Sequence, residues 1–274
     1  MIYVVQYLCQ LEQEVKSKLT ERKIEMNICV FDTETTGLEK PFCYNIGYVI
    51  VDEETREILL RREYVVEQIW HNLPLFNTAY YADKRQFYVS AMRGQTIKLR
   101  KFGVITQQMK RDFENYEVTA AFAYNSSFDE RVFEFNCDWF KVVNPFDNVA
   151  ICDIRGYAHE FLMTPHFFRW AEENKAFSES GNYSTTAETM KRYISDNVEF
   201  IEDHTALSDA LIETDILFAC VDNGAVLGED YKAKRSIERK QTRKFTIKAN
   251  GKIVYSGEHS GATYYKTKNL FVLK

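Results

Sequence analysis

The sequence predicts an α/β domain built on a mixed sheet, and three observations carry that prediction. Apolar strand-like runs at 27–31, 44–51 and 58–66 follow one another, the last two joined by the polar turn Asp52-Glu53-Glu54-Thr55-Arg56, which makes a meander. From residue 118 onward, strand-like runs alternate with helical patterns. The 274 residues are 45% apolar and 27% charged, an ordinary globular composition with room for one large domain or a domain plus an appendage.

Taken in order, residues 2–20 place Leu8, Leu11, Val15 and Leu19 at helical spacing, an amphipathic helix within an N-terminal extension over 1–25. The three-strand meander opens the main domain, assigned to 26–228. Residues 67–103 are aromatic but aperiodic, with Trp70, Phe76, Tyr80, Tyr81, Phe87 and Tyr88; most of them are expected in the core, with part of the stretch available to a substrate groove. A helix is expected over 105–116, a strand over 118–123, a helix over 128–139 and a strand over 149–152. Helices follow around 156–160, 167–173, 187–195 and 206–221. Asn223-Gly224 and Gly228 mark the end of the domain. Residues 229–274 form a basic linker and a small β-rich segment, in which Asn250-Gly251 between 245–249 and 252–256 is a two-residue hairpin signal. Further strand material lies at 262–266 and 270–273.

No apolar run approaches the ~20 residues needed to cross a bilayer, and the N-terminus lacks the basic and cleavage-site features of a signal peptide. The six cysteines are scattered with no CxxC pair. Cys29, Cys152 and Cys220 sit in apolar runs, as reduced core thiols of a cytoplasmic protein do. The net charge of −5 divides unevenly. Residues 232–274 hold twelve Lys/Arg against Glu238 and Glu258, a balance of +10, which leaves −15 on residues 1–231. An acidic body suits cations and a basic tail suits polyanions; solubilisation of a small surface-rich segment is the plainer reading of the tail.

Three groups of residues carry chemistry. In Phe31-Asp32-Thr33-Glu34-Thr35-Thr36-Gly37, the two acids lie two apart at the end of an apolar strand, so both side chains leave the same face, ~7 Å apart. Such a pair repels unless something positive sits between its members, although a lone DxE is common at strand exits. In Asn125-Ser126-Ser127-Phe128-Asp129-Glu130, Ser127 and Glu130 form a capping box that starts a helix at Phe128 and puts Asp129 in its first turn. In His204-Thr205-Ala206-Leu207-Ser208-Asp209, Thr205 is the N-cap of a helix whose buried stripe is Leu207, Ala210, Leu211, Thr214, Phe218 and Val221. Asp209 then lies near the helix start and His204 in the preceding loop.

Together, in this order and on these elements, the three groups resemble the DEDDh family of 3′→5′ exonucleases, which includes polymerase proofreading subunits, ribonuclease T and oligoribonuclease. The resemblance spans about 27–222. The DxET motif matches Asp32 to Thr35, the Asn-x-x-x-Asp motif matches Asn125 and Asp129, and HxAxxD matches His204, Ala206 and Asp209. It implies a ribonuclease H-like mixed five-stranded sheet flanked by helices, to which the C-terminal hairpin is an appendage. It also implies two divalent cations, Mg²⁺ or Mn²⁺, held by Asp32, Glu34, Asp129 and Asp209. Four carboxylates cannot stay ionised together without cations, and hard oxygen ligands select these metals. By resemblance, Asp32 bridges both ions, Glu34 and Asp209 complete the shell of one, Asp129 serves the other, and His204 is the general base.

The resemblance further assigns substrate contacts to Thr35, Thr36 and Gly37, whose backbone amides can reach the 3′ end, to Asn125, and to Phe128, which would stack on terminal bases. Tyr124 stands where proofreading relatives often have His. The implied substrate is a single-stranded 3′ end, DNA favoured, with release of nucleoside 5′-monophosphates in proofreading or repair. A polymerase or replication partner is an expectation of the same kind. An RNA-specific exoribonuclease and a non-catalytic nucleic-acid-binding module remain open, because acids that contact phosphate and metal do not distinguish DNA from RNA.

Overall fold

The structure, a computed structural model, describes residues 27–239 and the backbone of four further strands, Thr242–Ala249, Lys252–Ser260, Tyr264–Thr267 and Leu270–Leu273. The expected helix at 2–20 lies outside the described residues, as does the hairpin turn Asn250-Gly251. The strands flanking that turn do pair antiparallel, Ala249 opposite Lys252.

The main sheet has six strands in the order β4-β3-β2-β1-β5-β6: β1 Asn27–Thr35, β2 Cys43–Asp52, β3 Ile58–Val66, β4 Lys98–Arg100, β5 Val118–Ala123 and β6 Ala150–Asp153. β1, β2 and β3 form the antiparallel meander, while β5 runs parallel to β1, β6 to β5 and β4 to β3. The mixed sheet is as expected, with one strand more. β4 is three residues long, too short to show an alternating pattern.

The aperiodic stretch resolves into α1 Glu67–Trp70, α2 Leu73–Phe76, a 3₁₀ turn at Ala82–Lys84 and α3 Arg85–Arg93. The longer helices are α4 Phe102–Asn115, α5 Ser127–Phe140, α6 Ile154–Phe161, α7 Pro165–Glu173, α8 Ala187–Ser195 and α9 Ala206–Asp222. Strand alternation sorts β1 between two cores. Cys29 and Phe31 face a layer built from α1–α5, with Trp70, Phe76 and Tyr88 buried in it. Ile28 and Val30 face the other layer, α6–α9. Both faces of the sheet are therefore covered, which is why β2 reads as a nearly continuous apolar run.

Two residues of β2 seat α9. A Cβ on Gly47 would lie 2.1 Å from the Leu207 nitrogen and 2.2 Å from the Ala206 carbonyl carbon, so only glycine lets the first turn of α9 come this close. Asn45, fully buried, accepts from the Ala206 amide and the Tyr88 hydroxyl through Oδ1, both at 2.9 Å, and donates to the Tyr64 carbonyl at 3.0 Å. One side chain thus ties β2, β3, α3 and the start of α9 together.

The buried face of α9 matches the expected stripe in part: Ala210, Thr214 and Phe218 are buried as expected. Ala206, Asp209, Ala210, Glu213, Ile216, Leu217 and Cys220 are buried, whereas Leu207, Leu211 and Val221 are only half-buried. The helix is apolar nearly all the way round, so periodicity could not single out its inner face. Among the described residues, no helix is long and apolar enough to cross a membrane, and five cysteines are free and buried.

Candidate active site

β1 and β5 are parallel neighbours, and the acids singled out in the sequence lie at or just past their carboxyl ends, where open α/β sheets place ligand sites. Asp32 and Glu34 share the face of β1 that carries Ile28 and Val30, the α9 side. There they meet Asp209: one carboxylate oxygen from each of Asp32, Glu34 and Asp209 lies within 4.8 Å of the others. Thr33 alternates to the opposite face and donates its hydroxyl to Asp129 Oδ1 at 2.5 Å. The three-acid cluster thus draws on β1 and α9, and Asp129, buried in the first turn of α5, stands beside it on the far side of the strand.

α5 starts one residue earlier than expected. Ser127 is already helical and Ser126 occupies the cap position, its hydroxyl donating to Glu130 Oε1 at 3.2 Å. With Ser126 in a helical conformation, its side chain makes no capping bond to an amide of the first turn. Asn125 is exposed and left-handed (φ +62°), a conformation asparagine tolerates better than most residues; its amide donates to Asp153 Oδ1 at 2.8 Å.

Burial and mutual repulsion dominate the electrostatics. Asp32 is raised well above the usual carboxylate range by burial, then by Asp129, Glu213, Glu34 and Asp209. Burial pushes Glu34 up to about 8 against the pull of Lys84. Asp209 is pushed to about 9 by burial, Glu202 and Glu34. Burial also lifts Asp129 to about 7, although the Thr33 hydroxyl and nearby amides favour its ionised form. Asp32 Oδ2 and Asp209 Oδ1 are buried with no hydrogen-bond partner among the described residues. Buried carboxylate oxygens facing each other without donors are costly. An all-oxygen donor set of this kind fits a hard divalent cation.

His204 sits outside this cluster. Its ring groups with Glu188 and Glu202 instead, Nδ1 lying 3.7 Å from Glu202. Tyr81 stacks on the imidazole at 4.4 Å between centroids, 14° from parallel, and the backbone is left-handed (φ +47°). Burial and Lys84 hold its pKa below the ordinary histidine value. The loop placement is as expected, and Tyr81 and the Lys84 ammonium, which donates to the His204 carbonyl at 3.4 Å, hold the loop.

The expected substrate contacts fall unevenly. The Thr36 amide is engaged with the Phe42 carbonyl at 2.9 Å and so is not free for a 3′ end; the Thr35 hydroxyl donates to the Gly37 carbonyl at 3.3 Å. Gly37 is exposed. Phe128 is half-buried with Arg131 over its ring at 5.3 Å.

Two residues missed in the sequence belong to this region. Lys84, at the end of the 3₁₀ turn, is a cation whose field reaches Glu34, Glu202, Asp209 and His204. It also lies over the Tyr81 ring at 5.2 Å. Glu213, only 3% exposed, accepts from the Tyr124 amide at 3.1 Å and is one turn beyond Asp209 on α9. That i+4 spacing was the one available signal for Glu213; Lys84 had none, in a stretch without periodicity. Tyr124 itself is anchored, its hydroxyl donating to the Thr185 carbonyl at 2.7 Å.

The mixed six-stranded sheet with helices on both faces is similar in fold to solved exonuclease structures. One similar solved structure is the nuclease domain of 3'hExo, a DEDDh family member, bound to rAMP. The two share 14% identity and a TM-score of 0.51 over 78% of this chain and 99% of that one. The chain is also similar to E. coli exonuclease I in complex with a dA16 oligonucleotide (13% identity, TM-score 0.47, 73% of this chain and 41% of that one). A third similar structure is the 3′-exonuclease that recognises the histone mRNA stem-loop (12%, TM-score 0.47, 85% of each chain). The chain spans less than half the length of exonuclease I. No protein-family model and no curated protein matches the sequence.

Proposed function

We propose that this protein is a metal-dependent 3′→5′ exonuclease acting on single-stranded nucleic acid, DNA in preference to RNA. The observation that carries the reading is the convergence of Asp32, Glu34 and Asp209 within 4.8 Å, with buried oxygens of Asp32 and Asp209 left without donors. Those three carboxylates, with Asp129 beside them, would hold two Mg²⁺ or Mn²⁺ ions. When bound, such ions neutralise the phosphate and make water nucleophilic near neutral pH.

The chain's own residues supply the rest. The lowered pKa of His204 leaves its imidazole neutral near pH 7, so it can accept the proton of the attacking water. For that step the ring must turn from Glu202 towards the three acids, and its stack on Tyr81 is the contact that has to change. The water oxygen bonds to phosphorus and the bond to the 3′ oxygen of the next nucleotide breaks. That oxygen takes a proton from solvent, and a nucleoside 5′-monophosphate departs. Lys84 supplies a fixed positive charge beside Glu34 and His204, suited to a phosphate oxygen. The half-exposed face of Phe128 suits a terminal base, as stacking is tolerant of sequence.

The test uses 5′-labelled single-stranded DNA and RNA oligonucleotides with Mn²⁺, comparing the wild type with Asp32→Ala and His204→Ala. A ladder shortening from the 3′ end, lost in both variants, is expected. Equal activity in Asp32→Ala would place the chemistry elsewhere.

A further inference from the structure

We propose that a cavity beside the acid cluster binds backbone phosphates of the strand upstream of the cleaved bond, through Arg155 and Arg235. The proposal rests on the nuclease reading and adds the path of the substrate to it. The cavity, about 470 Å³, lies between the end of β5, the start of α6, the segment before α8 and residues 235–237. That volume is ample for a nucleotide-sized group.

Its chemistry is that of an anion site. Tyr124, Asn125, Thr185 and Thr186 line it together with the two arginines. Arg155 donates to the Thr185 hydroxyl at 3.3 Å, and its Nε is buried with no partner. Among the described residues neither arginine forms an ion pair with a carboxylate. The neighbouring acid, Asp153, feels the Arg155 charge but makes no ion pair with it, its Oδ1 being engaged with the amides of Asn125 at 2.8 Å and Arg155 at 3.0 Å. A buried guanidinium donor without an acceptor is costly unless an anion supplies one, and the planar guanidinium fork matches phosphate oxygens.

Position decides which phosphates these are. Tyr124 lines the cavity and its amide donates to Glu213, one turn beyond Asp209 on α9, so the anion site adjoins the cation site without sharing its acids. A strand cut at its 3′ terminus has all its remaining phosphates on the 5′ side. A second phosphate site therefore serves upstream nucleotides.

The wall that carries Arg235 is fixed. Tyr183 donates its amide to the Ile237 carbonyl at 3.1 Å. Arg239 makes a two-pronged bond to Glu172 at 2.7 and 2.6 Å and lies over Phe177 at 4.0 Å. Gly156 admits the Tyr231 carbonyl to within 1.7 Å of where a Cβ would be. The sequence beyond continues basic, with Lys240, Arg243 and Lys244.

The test is fluorescence anisotropy of the full chain in EDTA with 5′-labelled oligothymidylates of increasing length, from a dimer to a dodecamer. It compares wild type, Arg155→Gln, Arg235→Gln and the double variant. Each substitution should weaken dodecamer binding on the order of tenfold at low salt. Each should also flatten the salt dependence by about 0.7 in log–log slope. The affinity gained between dimer and dodecamer should shrink accordingly. Arg235 is exposed, so its variant remains informative even where Arg155→Gln disturbs folding. Equal affinities and slopes in wild type and double variant would overturn the proposal. So would an arginine-dependent site for free 5′-AMP combined with arginine-independent dodecamer binding, which would mark a mononucleotide pocket. Arginine-dependent strand binding without any Mn²⁺-dependent hydrolysis would uphold the phosphate site and remove the nuclease reading; hydrolysis with arginine-independent binding would do the reverse.

Discussion

Removing one carboxylate from the site should make the metal-free protein more stable, increasingly so as pH rises. Asp209 is the residue to change, because burial, Glu202 and Glu34 together push it up to about 9. An unfolded aspartate ionises at about 3.9. A carboxyl raised in the folded state contributes its full stabilisation below the unfolded value and loses it as pH climbs through the folded value. Between pH 5 and 8 the unfolded Asp209 is ionised while the folded one still holds its proton. Each pH unit in that window therefore lowers the unfolding free energy by about 1.4 kcal/mol. Three units set a ceiling of about 4 kcal/mol, and relaxation with water entry brings the expected loss to about 1–3 kcal/mol. Asp209→Asn keeps the shape and removes the titration. Urea denaturation in EDTA at pH 5, 6.5 and 8 should show the variant gaining about 1–3 kcal/mol on the wild type between pH 5 and pH 8. Parallel pH dependences, or a variant less stable at pH 8, would refute the reasoning that these acids repel one another when no cation is present.

Gly47→Ala should push the first turn of α9 off β2, costing about 1–3 kcal/mol by overpacking and lowering turnover even in the fraction that remains folded; activity per folded molecule equal to wild type would contradict this. Asn45→Ala strips partners from the Ala206 amide and the Tyr88 hydroxyl, and thermal melts should register a loss of about 2–4 kcal/mol. Asp112 accepts from the Tyr48 hydroxyl at 2.6 Å and from Arg62 at 3.2 and 3.3 Å, away from the acid cluster. Asp112→Ala should therefore cost about 3 kcal/mol in denaturation yet leave metal affinity intact below the melting range.

What the sequence makes legible follows from how local the physics is. The alternation of β1 places Asp32 and Glu34 on one face from spacing alone, and the start of α9 is marked by Thr205. The meander is readable because its apolar runs are long and its turn polar. Lys84 and Tyr81 are not readable, since short helices in an aromatic stretch have no period to detect. Glu213 is hidden because α9 is apolar almost all round, and an acid in such a helix reads as surface until its burial is seen. The shift of the α5 cap from Ser127 to Ser126 is a one-residue choice between adjacent serines that only the backbone conformation makes. His204 shows the limit most plainly: its loop is legible, but its stacking on a residue 123 positions earlier is a tertiary fact.

Asp32, Glu34 and Asp209 should act as one cation site. Titrating the full chain with Mn²⁺ by calorimetry, beside Asp32→Ala, tests this without needing a substrate. Saturable binding in the wild type that is lost or greatly weakened in Asp32→Ala is the predicted result. Identical isotherms for the two proteins would contradict it.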